Sequence, residues 1–140
     1  MSKVAVVYWS GTGNTEAMAM AVAKGAKGAG ADVSVLKAAV FSSDQLANYD
    51  AIAFGCPSMG SEQLEDGEFE PMFSLCEDGL KGKALVLFGS YGWGDGEWMR
   101  DWEARCKEAG AELLSEGLIC NDAPDEEILS ACCRLGALLV

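Results

Sequence analysis

The chain has 140 residues, the size of one ordinary domain, and half of them are apolar, enough to bury a core. Its 22 acidic against 10 basic residues give a net charge of -12, which disfavours nucleic acid and anionic membrane surfaces and favours basic partners. It contains no histidine, which removes the commonest general base and the commonest metal ligand, so no metal site is expected.

Short apolar runs alternate with helical segments along the chain. Val4 to Tyr8 is a nearly continuous apolar run, the pattern of a strand buried on both faces. A helix is expected from Asn14 to Ala29, with Gly28 and Gly30 suited to its end. Asp32 to Leu36 reads as a mixed second strand, and a short second helix follows Ser43. Ala51 to Phe54 and Ala84 to Phe88 are two more apolar strands. Between them a helix follows Pro71, with Phe69, Phe73 and Cys76 near one face. The next helix carries Trp98, Trp102 and Cys106 at intervals of four, with Asp101 and Arg105 spaced for an exposed ion pair. Glu112 to Cys120 is a mixed fifth strand interrupted by Ser115, Glu116 and Gly117. The last helix starts at Pro124-Asp125-Glu126-Glu127, acidic where the helix dipole favours it. Six cysteines without a CxxC spacing read as small buried hydrophobes. Met1 leads directly into the first strand without a signal-peptide pattern, and no run reaches transmembrane length. One cytoplasmic domain spanning residues 1–140 and acting as a monomer is expected.

Five strands alternating with five helices imply an α/β fold, a three-layer doubly wound sandwich around a parallel sheet. Mixed strands suit sheet edges, so strands 1, 3 and 4 are central and the simplest order is 2-1-3-4-5. Ligands bind such sheets beyond the carboxyl ends of the strands, where strand order reverses. Here that crevice lies between strands 1 and 3.

Three loops reach it. After strand 1 comes Ser10-Gly11-Thr12-Gly13-Asn14-Thr15, whose amides and hydroxyls suit a single terminal phosphate at a helix N-terminus. No Lys follows the glycines, so it is not a Walker A loop, and Glu16 replaces the third Gly of a dinucleotide fingerprint. The same residues would also make a plain capped turn. After strand 3 comes Gly55-Cys56-Pro57-Ser58-Met59-Gly60-Ser61-Glu62, and after strand 4 Gly89-Ser90-Tyr91-Gly92-Trp93-Gly94-Asp95-Gly96. Trp93 among glycines either stacks on a flat ligand, with Met59 as a soft opposite surface, or covers the sheet edge.

Tyr8 to Glu16, Met59 to Glu62 and Phe88 to Gly94 together resemble the three flavin loops of the short-chain flavodoxins of anaerobic bacteria, and the likeness spans the whole chain. Flavodoxin is itself a standard example of cofactor binding at this switch point. The resemblance implies a low-potential electron carrier on non-covalently bound FMN, cycling between semiquinone and hydroquinone, and not an enzyme. It implies that Ser10, Thr12, Gly13, Asn14 and Thr15 hold the FMN phosphate and that Met59 and Trp93 sandwich the isoalloxazine. Gly60, Ser61 and Glu62 would line its N5-to-N3 edge, with the Gly60-Ser61 peptide turning toward N5 on reduction. Ser90, Tyr91 and Gly92 would supply backbone along the ring, and Asn121 would approach the ribityl chain. Pro57, Ser58 and Gly94 would complete the contacts.

Seven carboxylates and no cation lie between Ser61 and Asp78. A charge about 10 Å from the flavin, at an effective dielectric of about 40, opposes an added electron by about 0.8 kcal/mol. That is about 35 mV before screening. Basic docking surfaces on redox partners are the expected complement. Two alternatives share the fold: an NAD(P)H-dependent FMN reductase and a redox-inactive scaffold. A receiver domain is excluded, because Trp9-Ser10 and Cys56-Pro57 stand where it needs acidic residues.

Overall fold

The structure, a computed structural model, describes residues 2–140. The parallel strands β1 (Lys3–Tyr8), β2 (Asp32–Lys37), β3 (Ala51–Gly55) and β4 (Ala84–Tyr91) are joined by two short pieces, β5 (Glu112–Leu113) and β6 (Leu118–Asn121). The order is β2-β1-β3-β4, with β5 and β6 both pairing with β4, so the expected 2-1-3-4-5 arrangement is present with its last strand in two pieces.

Alternate residues of the central strands feed two cores. Ala5, Val7, Ile52, Phe54, Leu85 and Leu87 face helices α2 (Phe69–Cys76) and α3 (Glu97–Glu108). Val4, Val6, Ala53, Val86 and Phe88 face α1 (Asn14–Gly28) and α4 (Glu126–Ala137). Phe54, Phe69, Phe73 and Trp102 meet largely edge to face, with centroids 5.2 to 6.3 Å apart, the geometry that ring quadrupoles prefer. Five cysteines are buried in these layers, as the composition suggested, and Cys133 is half-buried.

Two local expectations are corrected, while the short helix expected after Ser43 is present as a 3₁₀ helix, Ser43–Asn48. It is too short to build a second α-turn, and Lys83 Nζ satisfies its last carbonyls by donating to Leu46 O at 3.1 Å and Tyr49 O at 2.7 Å. The fifth strand breaks at residues 114–117 because Glu103, on α3, takes the Gly117 amide at 2.6 Å. A Cβ on Gly117 would lie 2.3 Å from Met99 Sδ, so this backbone is pressed against α3. Arg105 does not pair with Asp101. It crosses to α2, donating to Glu70 at 2.7 Å and Glu77 at 2.9 Å, with its guanidinium 4.9 Å from the Phe73 ring centre. Two carboxylates and an aromatic face outcompete one exposed i,i+4 partner. Arg105 in turn holds the Glu70 carboxyl below its usual range.

Helices α1 and α4 touch backbone to backbone. A Cβ on Gly25 would lie 1.8 Å from Cys133 O, and one on Gly136 would lie 1.9 Å from Val22 O. Neither neighbour can yield without moving a helix, so Gly25→Ala should cost about 2–3 kcal/mol. Gly28→Ala, in the same helix but facing open space, should not lower the melting temperature. Thermal unfolding of the two variants checks the contrast.

Candidate functional site

The crevice at the carboxyl ends of β1, β3 and β4 is a cleft of about 210 Å³. Ser10, Thr12, Asn14, Thr15, Pro57, Ser58, Met59, Ser90, Tyr91 and Gly92 line it, together with Trp9, Gly11 and Asp122, which sequence reading did not single out. The hairpin tip Gly60-Ser61-Glu62 and the Trp93-Gly94 segment stand outside this lining, at its lip. Asn121 is exposed and donates from Nδ2 to Tyr91 O at 3.4 Å, while its neighbour Asp122 reaches the cleft.

The first loop folds around one hydroxyl. Ser10 Oγ accepts from the amides of Gly13 at 3.1 Å and Glu16 at 3.2 Å. The amides of Thr12, Asn14 and Thr15 are left without an acceptor among the described residues. Unpaired N–H groups at the positive end of α1 form an anion-binding concavity. Thr15 itself is buried, and its hydroxyl is paired with that of Ser90 at 3.0 Å, so its side chain ties α1 to the end of β4. The β1–β2 register sets Lys37 opposite Tyr8, which brings a cation to the far side of this loop that the linear sequence does not reveal.

The other two loops are tied to each other. Ser58 N donates to Ser90 O at 2.9 Å, carrying the β3–β4 ladder into the loops. Trp98, buried on α3, donates to Cys56 O at 3.2 Å. Met59 and Gln63 exchange backbone bonds at 2.7 and 2.9 Å around a three-residue tip. Within that tip Gly60 has φ +55° and Glu62 has φ 53°, the latter rare for a residue with a side chain. Glu62 reaches across to accept from Asp95 N at 3.2 Å. It occupies the space where a Cβ on Gly94 would come within 2.0 Å of its carboxylate. Carboxylate oxygens of Glu62, Asp95 and Glu97 lie within 4.8 Å of one another, and Arg100 offsets part of their charge by pairing with Asp95 at 2.9 Å.

Behind the hairpin, Glu65 staples the chain into α2. Its carboxylate accepts from the amides of Gly67, Glu68 and Phe69 at 2.7, 2.8 and 2.8 Å. Desolvation alone would raise this carboxyl, but the three donors outweigh it and hold it below the usual range. Two large apolar side chains stay uncovered beside the cleft, Trp93 at 64% and Met59 at 40% exposure.

The family model described as Flavodoxin matches residues 6–136 of this chain. The chain belongs to the flavodoxin family. It is 49% identical over 122 residues to the flavodoxin of Megasphaera elsdenii, covering 87% of this chain and 88% of that one. It is 47% identical over 121 residues to the flavodoxin of Clostridium beijerinckii, covering 86% and 88%. The solution structure of two-electron reduced Megasphaera elsdenii flavodoxin superposes with a TM-score of 0.88 at 47% identity, covering 97% of each chain. The protein is thus a low-potential electron carrier that uses non-covalently bound FMN, and the enzymatic and scaffold alternatives are not favoured. No helix among the described residues is long and apolar enough to cross a membrane.

The residues present fit FMN. Unpaired amides suit a phosphate, and two uncovered apolar side chains beside a narrow cleft suit the faces of a flat ring. Because Gly94 combines φ +90° with the Glu62 contact, Gly94→Ala should displace Glu62 and loosen both loops. FMN affinity should fall while the melting temperature of the apoprotein changes little, as titration and thermal unfolding would show.

Proposed function

We propose that this flavodoxin holds FMN with the residues of its three loops and passes electrons, as a cytoplasmic monomer, to partners with basic docking surfaces. The observation that carries the reading is the set of unpaired amides at Thr12, Asn14 and Thr15, residues that line a cleft with Met59 and with Gly92, next to exposed Trp93. In this reading Ser10 Oγ shapes the first loop, its free amides with Thr12 and Asn14 take the phosphate, and Thr15 supports them from beneath. Met59 and Trp93 cover the two ring faces, and Pro57, Ser58, Ser90, Tyr91 and Gly92 form the channel between. Gly60, Ser61, Glu62 and Gly94 line the outer edge, while Gly13 starts α1 and Asn121 steadies the end of β4 beside the ribityl chain.

Bound FMN supplies the one-electron chemistry. The chain's own part is to bind it, to cover its faces from water and to set its potentials. Asp95 is paired with Arg100, and the carboxylates of Glu62 and Glu97 beside that pair would oppose negative charge added to a nearby flavin and lower its potential. Gly60, at positive φ, would let the Gly60-Ser61 peptide present its carbonyl to an N–H on the edge of bound FMN.

Thr12→Ala should weaken FMN while leaving riboflavin unchanged, because only FMN has a phosphate to lose. Trp93→Ala should weaken both flavins, whereas Trp98→Phe, buried on α3, should leave flavin affinity close to that of the unmodified chain. Equal losses of FMN and riboflavin in Thr12→Ala would refute the phosphate assignment.

A Cβ on Gly60 meets nothing within 4 Å, so Gly60→Ala is strained by its conformation alone. A cost of about 1 kcal/mol borne by one redox state alone is equivalent to about 40 mV on the first one-electron potential, whereas strain common to both states leaves that potential unchanged. Anaerobic spectral titration of the variant reads this shift directly. Electron transfer to a basic redox protein should slow as salt rises, and stopped-flow rates across ionic strength test the docking charge.

A further inference from the structure

Trp9 is the last residue of the chain before the phosphate loop, and its main chain still belongs to the sheet, with its N–H on Gly55 O at 3.0 Å. Its side chain is held from elsewhere. The indole Nε1–H donates to Glu68 Oε1 at 3.0 Å, from a residue 59 positions away at the start of α2. The opposite edge of the ring lies against the loop, since a Cβ built on Gly11 would be 3.0 Å from Trp9 Cη2 and 3.2 Å from Cζ3. Trp9 also divides two spaces. It lines the cofactor cleft on one side, and on the other a cavity of about 320 Å³ with Glu16, Lys37 and Glu68.

We propose that Glu68, acting through the Trp9 indole, is a positioning residue that holds the Gly11 backbone, and with it the amides of the phosphate loop, in the geometry that grips FMN. The proposal rests on reading Ser10 to Thr15 as the phosphate loop. A half-buried indole between two cavities has space to turn about its side-chain torsions, and its bond to Glu68 fixes one orientation. Glu68 is fixed in turn, because its own amide donates to the Glu65 carboxylate. The flavin loop that follows β3 therefore sets the shape of the loop that follows β1.

Charge and position pull in opposite directions here, which makes the test decisive. Glu68 and Glu16 are carboxylates beside a phosphate-holding loop, and Lys37 is the opposing cation. If Glu68 acted only as a charge, removing it would tighten a phosphate-bearing ligand. If it positions Trp9, removing it loosens that ligand.

The experiment titrates the full chain and its variants with FMN and with riboflavin, after circular dichroism has matched their folding. Glu68→Ala and Trp9→Phe should each weaken FMN by about five- to tenfold, the scale of one lost charge-assisted hydrogen bond near the surface. Riboflavin affinity should stay within about twofold of the unmodified chain, a difference too small to count as a lost contact. Glu68→Gln, whose amide oxygen still accepts the indole N–H, should retain FMN affinity, and the double variant should be no worse than either single one. The proposal is overturned if Glu68→Ala matches or exceeds the unmodified chain in FMN affinity. It is also overturned if FMN and riboflavin weaken equally, or if Glu68→Gln behaves as Glu68→Ala. A separate failure is recognisable: an unmodified chain that holds both flavins equally refutes the phosphate reading itself.

Discussion

β1 hydrogen-bonds in parallel to β2 on one side and to β3 on the other, and everything at the site depends on that double pairing. The winding reverses at β1, because the chain passes from β1 to β2 at one edge and then returns across β1 to β3 at the other. The chain therefore parts on either side of β1 and opens a crevice that no side chain is required to carve. The apolar runs of β1, β3 and β4 hold the three loop roots at one level, because each is buried on both faces and cannot slip register without exposing a full row of side chains.

Above that rigid edge the three loops are coupled pairwise. Thr15 and Ser90 join the first to the third, Ser58 and Glu62 join the second to the third, and Trp9 and Glu68 join the first to the second. The first link uses side chains inside two of the flavin-loop motifs, and the last pairs Trp9, inside the first motif, with Glu68, beyond the second. The loop Ser10 to Thr15 offers only neutral donors, so a phosphate there is gripped by amides and hydroxyls, while Asp122 lines the cleft and Lys37 stands behind the loop. With no histidine in the sequence, and with hydroxyls and backbone amides lining the cleft, the chain's part is placement and field around the cofactor.

Much of this was legible from sequence, for identifiable reasons. Val4 to Tyr8, Ala51 to Phe54 and Ala84 to Phe88 announce themselves because a doubly covered strand has no polar alternation to obscure it. The loop residues were legible because glycine, hydroxyl and aromatic residues cluster there against the apolar background. What escaped depends on distant partners. Glu103 and Met99 break the fifth strand from a neighbouring helix. Arg105 obeys α2 rather than its own helix. Lys37 and Asp122 reach the site region by register and by a turn at φ 60°, and neither leaves a local motif. Glu65 looks like one more acid in an acidic run, and only the fold shows that three amides converge on it.

The buried cysteines have a consequence for the company this chain keeps. Reduced flavins meeting oxygen generate oxidants, and the reactive form of a cysteine is its thiolate. Burial pushes Cys76 up to about 11 and both Cys106 and Cys132 up to about 12, and it drives Cys56 higher still. At neutral pH these sulfurs remain protonated and out of solvent. The interior thiols are therefore shielded from the by-products of the cofactor, half-buried Cys133 is the most accessible thiol, and the exposed thioether of Met59 beside the cleft is the sulfur that meets them first.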